Sequence, residues 1–211
     1  MLKAKIHSQL PQRSSELPFA QKLQTLEFPA NNQPHVWFIQ LPGLKDVDAV
    51  VWLPRTGLFI VEMKSWPLSG IRHISIQQFE VESYIKHSTK KSPWEQVKEA
   101  EEQFRTRLVN DPDTTNLLGH PWTSPVVALY RISRDDFNEH FIGKTGVQSE
   151  ELFKQIISKG TIFREDLESG DIFIERLSYC RTHPVFGDAP KQNVKFVFLI
   201  RKICRDKLRC C

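Results

Sequence analysis

Apolar residues along the 211-residue chain fall in two patterns, consecutive runs and helical spacings, and the two alternate. Asp48–Leu53 (DAVVWL) and Leu58–Lys64 (LFIVEMK) are apolar at successive positions rather than at every second one. Such strands are covered on both faces, which puts this pair at the centre of an α/β sheet. Pro54-Arg55-Thr56-Gly57 between them is turn chemistry. Further strands are predicted at 35–41 (HVWFIQL), 125–130 (PVVALY), 161–163 (TIF) and 194–200 (VKFVFLI), with one or two more between Gly70 and Tyr84.

Helical spacing marks the intervening segments. Phe19, Leu23 and Leu26 predict a helix over about residues 15–26, with Pro18 in the tolerated first turn. Ser92-Pro93-Trp94-Glu95 is a helix start: Ser92 as cap, Pro93 at the first position, Glu95 completing a capping box. Trp94, Val97, Ala100, Phe104 and Leu108 form the apolar stripe of this helix, which stops before Asp111-Pro112. Helices are also predicted at 149–159, closed by Gly160, and at 171–179. The order helix, strands, helix, strand, helix specifies a mixed α/β domain.

Composition fits that picture. The chain is 40% hydrophobic and 26% charged, with no apolar run near the ~20 residues of a membrane helix. The basic start, MLKAKIHSQLPQRSS, has no apolar stretch of a secretory signal, so a cytoplasmic location without membrane attachment is expected. The four cysteines include no Cys-x-x-Cys pair; Cys180-x-x-His183 reads as a core cysteine and a surface histidine rather than half a zinc site.

Charge narrows the question. The formal net charge is +4, but residues 201–211 hold five basic residues and one acid, leaving 24 of each sign in the rest. Global charge is therefore no argument for nucleic-acid binding by the folded body. A local constellation has to carry any such argument.

Asp48, Glu62 and Lys64 are that constellation. Glu62-Met63-Lys64 ends a buried strand, and residues two apart on a strand share a face. Charges after four apolar residues are costly to bury without a partner or a purpose. The turn at 54–57 returns the chain so that Asp48 approaches Glu62. A four-residue loop would pair Leu53 with Leu58 and put Asp48 opposite Met63, on the wrong face. A three- or five-residue loop, or a β-bulge, would put it opposite Glu62 or Lys64, so one of these is predicted. Two carboxylates hold Mg²⁺, a hard ion that takes oxygen ligands and keeps several waters. The Met63 backbone carbonyl is a further candidate ligand. Lys64 is placed to stabilise phosphorane charge or the attacking water, which together is the chemistry of phosphodiester hydrolysis. Asp46 competes with Asp48, which is favoured because it abuts the apolar strand. The bland reading is an ion pair of Glu62 with Lys64 at a sheet end.

The stretch Asp46-Val-Asp48-Ala-Val-Val-Trp-Leu-Pro54, then Gly57-Leu-Phe-Ile-Val-Glu62-Met-Lys64-Ser-Trp66 and Gly70-Ile71, resembles the nuclease-related domain (NERD) family of the PD-(D/E)XK restriction-endonuclease-like superfamily. Glu16 resembles the acid of the family's N-terminal helix, and Ser92-Pro93-Trp94-Glu95-Gln96 its Pro-x-x-Gln motif. The resemblance covers roughly residues 14–131. It implies a four-stranded mixed sheet flanked by helices and a metal-dependent DNase site. Asp48 and Glu62 would bind Mg²⁺, with Mn²⁺ as substitute and Glu16 as a further candidate ligand. Lys64 would be the catalytic lysine, and Gln96 would contact DNA or water.

The expected organisation is a loose basic arm (1–13), a nuclease-related domain (14–135), a C-terminal α/β extension (136–200) and a basic Cys-rich tail (201–211). Lys86, Lys90, Lys91 and Lys98, with His87, form the internal basic cluster, which reads either as a solvated face or as a contact to DNA phosphates. Trp66 suits base stacking or, beside Pro67, packing. A helicase or other DNA-processing partner and a homodimer fit the resemblance. The alternative function is a nucleic-acid-binding or partner-recruiting module of the same fold with little catalysis.

Overall fold

The computed structural model describes residues 1–13, 15–38, 47–74, 78–83, 86–112, 123–141, 159–181, 197 and 200. The two central apolar runs form strands β5 (Ala49–Leu53) and β6 (Gly57–Met63), every residue of which is buried except Gly57. Around them lie β2 (Lys5–Ile6), β4 (His35–Phe38), β10 (Thr123–Leu129) and β11 (Thr161–Phe163), giving a six-stranded sheet in the order β11-β10-β6-β5-β4-β2. β5 runs antiparallel to both β4 and β6, whereas β10 runs parallel to β6, β11 parallel to β10, and β2 parallel to β4. The four inner strands are the sheet that the family resemblance implies; β2 and β11 extend it at either edge.

Both faces are covered, as the consecutive apolar runs require. On one side Val50, Trp52, Leu58, Ile60 and Val127 pack against helix α2 (Pro93–Asn110) through Trp94, Val97, Ala100, Phe104 and Leu108. Helix α3 (Arg134–Phe141) joins this core through Phe137 and Phe141. On the other side Ala49, Val51, Leu53, Phe59 and Val61 pack against α1 (Leu17–Thr25) and α4 (Gly170–Cys180). The alternation within β5 and β6 is strict, so each strand residue has a fixed face.

Several sequence expectations need correction. Residues 1–13 do not form a loose arm. β1 (Leu2–Lys3) pairs with β3 (Glu27–Phe28), and β2 joins the main sheet. His7 and His35 share a hydrogen bond of 2.8 Å, and His7 stacks on Trp37, which ties this segment down. Ser92 and Pro93 open α2 as expected, but the Ser92 half of the capping box does not form. The Ser92 side chain makes no cap hydrogen bond, its Oγ is buried without a partner, and the first turn closes through Gln96 N–H to the Ser92 carbonyl at 2.9 Å. Of the strand expected at 194–200, the two described residues, Val197 and Ile200, are helical. Three residues apart, they both meet the core on the α2 side, which a helix allows.

β7 (Ile71–Ile74), β8 (Gln78–Ser83) and β9 (Lys86–Lys91) form a separate three-stranded antiparallel sheet. The expected domain boundary at 135/136 falls inside α3. β11 and α4 contribute Ile162, Phe173 and Leu177 to the same core as α1. Asp166, bonded to Arg134 at 2.7 Å and to the Phe163 N–H at 2.8 Å, clamps this C-terminal region to α3. The helix expected at 149–159, all but its last residue, and the tail 201–211 lie outside the described residues.

Candidate active site

The loop between β5 and β6 has three residues. Leu53 pairs with Gly57 and Ala49 with Val61, so the same register continued by one step sets Asp48 opposite Glu62. Gly57 has φ +145°, a backbone conformation open to glycine and strained for other residues. Gly57 stands where the three-residue loop enters β6. By strand alternation Asp48, Glu62 and Lys64 share the α2 side of the sheet.

Asp48, Glu62, Met63, Lys64 and Gln96 line one cavity of about 420 Å³ together with Glu16, Arg13, Ser15, Ser65 and Trp66. The cavity lies at the end of the sheet where α1 and α2 both begin. Glu16 immediately precedes α1 and Gln96 is in the first turn of α2. Both helix N-termini therefore bring their positive ends to a site rich in carboxylates.

The three acids are withdrawn from water: Glu16 is 4% exposed, Glu62 5% and Asp48 8%. Arg13 Nη1 lies 3.4 Å from the Oε1 of the buried Glu16. Asp48 Oδ2 accepts the Met63 N–H at 2.6 Å. In a strand the N–H and C=O of one residue point to the same neighbour, so the Met63 carbonyl also turns to the Asp48 side of β6. Lys64 Nζ pairs with Glu62 Oε1 and stands 5.3 Å from the centroid of the Trp66 ring. Burial, and then the charge of Glu62, push the Asp48 carboxyl up from 3.8 to about 8; the Met63 N–H opposes this, Glu16 adds to it and Lys64 reduces it.

This donor set suits a hard cation. Asp48 resists ionisation because the charges around it do not balance two desolvated carboxylates, and a divalent ion at that point would supply the missing positive charge. Among the described residues no three of His, Cys, Asp and Glu come together as a metal-binding group. Mg²⁺ is held by one or two carboxylates and keeps its remaining waters, which matches Asp48 and Glu62 with the Met63 carbonyl.

The basic cluster divides between two elements. Lys86, Lys90 and Lys91 lie on β9, and Lys98 is exposed on α2. Trp66 is half-buried against the α2-side core, so packing accounts for part of its surface. Asp46 and His183 lie outside the described residues. Cys180 is buried, and burial pushes its thiol up to about 12, which makes it a core residue rather than a thiolate ligand.

Four contributors escaped the sequence reading. Arg13 falls in the stretch that reads as a basic arm, and nothing in the local pattern marks Ser15 or Ser65. Tyr130 ends an apolar run, yet its hydroxyl donates to the Ser15 carbonyl at 2.6 Å and so fixes the approach to Glu16. Pro18 within a helical pattern was the available signal that residues 15–16 form a helix entrance.

No match to the chain was found among curated proteins or among solved structures. The family model for the nuclease-related domain matches residues 13–130, from Arg13 at the cavity to Tyr130 behind it. The mixed sheet flanked by helices is consistent with a restriction-endonuclease-like fold and with the PD-(D/E)XK superfamily. The match spans more than half of the chain, which therefore belongs to the nuclease-related domain (NERD) family.

Proposed function

We propose that the chain is a Mg²⁺-dependent nuclease that hydrolyses phosphodiester bonds in DNA. The observation that carries this reading is the facing pair Asp48 and Glu62 with Lys64 on one cavity, set by the three-residue loop. Asp48, Glu62 and the Met63 carbonyl would hold the ion. When bound, Mg²⁺ neutralises charge at the scissile phosphate and lowers the pKa of a bound water. Lys64 presents an ammonium to the phosphate or to the attacking water. Gln96, in the first turn of α2, offers an amide that both donates and accepts, the capability needed to orient a water. Lys98 and the β9 lysines Lys86, Lys90 and Lys91 are the candidate contacts to flanking phosphates. The role proposed is cytoplasmic DNA processing; no described helix is long and apolar enough to cross a membrane. A helicase or other DNA-processing protein is the candidate partner, and a second copy of the chain would cut the opposite strand.

The test is cleavage of plasmid and single-stranded DNA with Mg²⁺ or Mn²⁺ by wild type, Asp48→Ala and Lys64→Ala. Metal-dependent cleavage by wild type, lost in both variants, supports the reading. Absence of cleavage by wild type, or unchanged cleavage by both variants, ends it.

A second reading is a DNA-binding or recruiting module with little catalysis. The Glu62–Lys64 ion pair favours it, because it occupies both groups with each other. It predicts DNA affinity that survives Glu62→Ala and falls steeply with salt.

A further inference from the structure

Resting on the nuclease reading, we propose that Trp66 is a positioning residue that keeps the Lys64 ammonium at the reacting phosphate when Glu62 is committed to the cation. Lys64 has two visible anchors, the Glu62 carboxylate and the face of the Trp66 ring at 5.3 Å. Glu62 cannot serve both charges equally. A carboxylate engaged by a divalent ion attracts the ammonium less, and the two cations repel each other. The indole holds a cation by its quadrupole and offers no oxygen donor, so it does not compete for a hard metal ion. A lysine on a flexible four-carbon stem, left without an anchor, would spread over many rotamers.

The backbone supports this arrangement. Lys64 N–H donates to the Ala128 carbonyl at 2.9 Å, so sheet pairing continues one residue past β6. The period of two then sends Glu62 and Lys64 to the same side, and Trp66 packs against the core on that side. The indole is held from behind by the α2-side core, and Arg131 Nη1 reaches the Ser65 carbonyl at 3.4 Å, restraining the residue between Lys64 and Trp66. The ring is thus a rigid platform, and the ammonium rests on it inside the cavity that both residues line.

Two measurements on the full chain test the proposal. The first is the NMR shift of the Lys64 ε-methylene in ¹³C-lysine-labelled protein, assigned by its loss in Lys64→Arg. An upfield ring-current displacement is expected in wild type, absent in Trp66→Met and retained at saturating Mg²⁺. No displacement in wild type, or its disappearance on adding Mg²⁺, overturns the proposal whether or not the protein cleaves DNA. The second is steady-state cleavage. Trp66→Met fills the volume without a π face and should lower kcat about tenfold with KM within about twofold; Trp66→Phe keeps a smaller face and should fall between. A Trp66→Met enzyme as fast as wild type sinks the positioning role and leaves the nuclease reading standing. A wild type that cleaves nothing sinks the nuclease reading, and the shift measurement still decides whether Trp66 holds Lys64.

Discussion

Asp48 Oδ2 accepts the backbone N–H of Met63 at 2.6 Å. A side chain just before β5 thus caps the end of β6, closing a hydrogen bond beyond the last backbone pair of the two strands. The same carboxyl faces Glu62, and burial together with that neighbour raises it from 3.8 to about 8.

That shift fixes a pH dependence. The folded value lies above the unfolded one, so the folded state favours the protonated acid. The resulting stabilisation is complete below the ordinary value of 3.8 and is lost as pH rises through about 8. Without divalent cations, the wild-type melting temperature should therefore fall from about pH 5 to about pH 9 more steeply than that of Asp48→Asn. Asparagine keeps an oxygen for the Met63 N–H but has no charge to desolvate. Added Mg²⁺ should flatten the wild-type slope and leave Asp48→Asn nearly unchanged. Parallel slopes for the two proteins in EDTA would show that Asp48 is not the group responsible.

The acids should rank in metal affinity. Glu62 faces Asp48 across the hairpin, whereas Glu16 stands before α1 with Arg13 at 3.4 Å. Mn²⁺ titration by calorimetry should show Glu62→Gln binding at least about tenfold more weakly than wild type. Glu16→Gln should stay within about threefold, since Arg13 already answers part of its charge. A loss in Glu16→Gln equal to that in Glu62→Gln would move Glu16 into the ligand set.

Tyr130 acts on the site through the backbone. Its hydroxyl holds the Ser15 carbonyl, and its ring lies 5.8 Å from that of Phe19. Tyr130→Phe keeps the ring and leaves a carbonyl without that donor, which should cost about 0.5–1.5 kcal/mol in urea unfolding. The released segment carries Arg13, Ser15 and Glu16, so kcat/KM should fall roughly threefold while the Asp48-linked pH slope is kept. An unchanged kcat/KM would confine Tyr130 to packing.

The hairpin was legible because its physics is local. Consecutive apolar residues fixed β5 and β6, and their alternation reduced the site to a question of loop length that the sequence posed but did not answer. The answer lay in Gly57, whose φ of +145° depends on tertiary pairing at both ends of the turn. Glu16 and Gln96 were reached only through the family resemblance, since both come to the cavity by long-range packing of α1 and α2. The pairing of residues 2–6 was missed for a similar reason. Two-residue strands leave no periodic signal, and β2 is held by backbone pairing with the distant β4, with the His7–His35 contact, 28 positions apart, beside it. The Ser92 cap failed where a local rule met a buried site. Ser92 is fully buried, and its hydroxyl makes no hydrogen bond to the helix N-terminus.

Gly57 therefore carries the last prediction. A Cβ at this position would meet nothing closer than Phe59 Cζ at 3.9 Å, so the cost of Gly57→Ala is conformational rather than steric. Forcing φ +145° on alanine should lower stability by about 1–3 kcal/mol. The chain has one way to relieve that strain, a longer loop with a one-residue slip of β5. Such a slip would exchange the faces of Val50 and Trp52 with those of Ala49, Val51 and Leu53, all of them buried. Mismatched volumes on both sides of the sheet would cost more than one strained residue. The register should hold, and folded Gly57→Ala should cleave DNA at the wild-type rate despite a lower urea midpoint. A variant that is folded by circular dichroism yet inactive would mean that the hairpin had slipped and turned Asp48 away from Glu62.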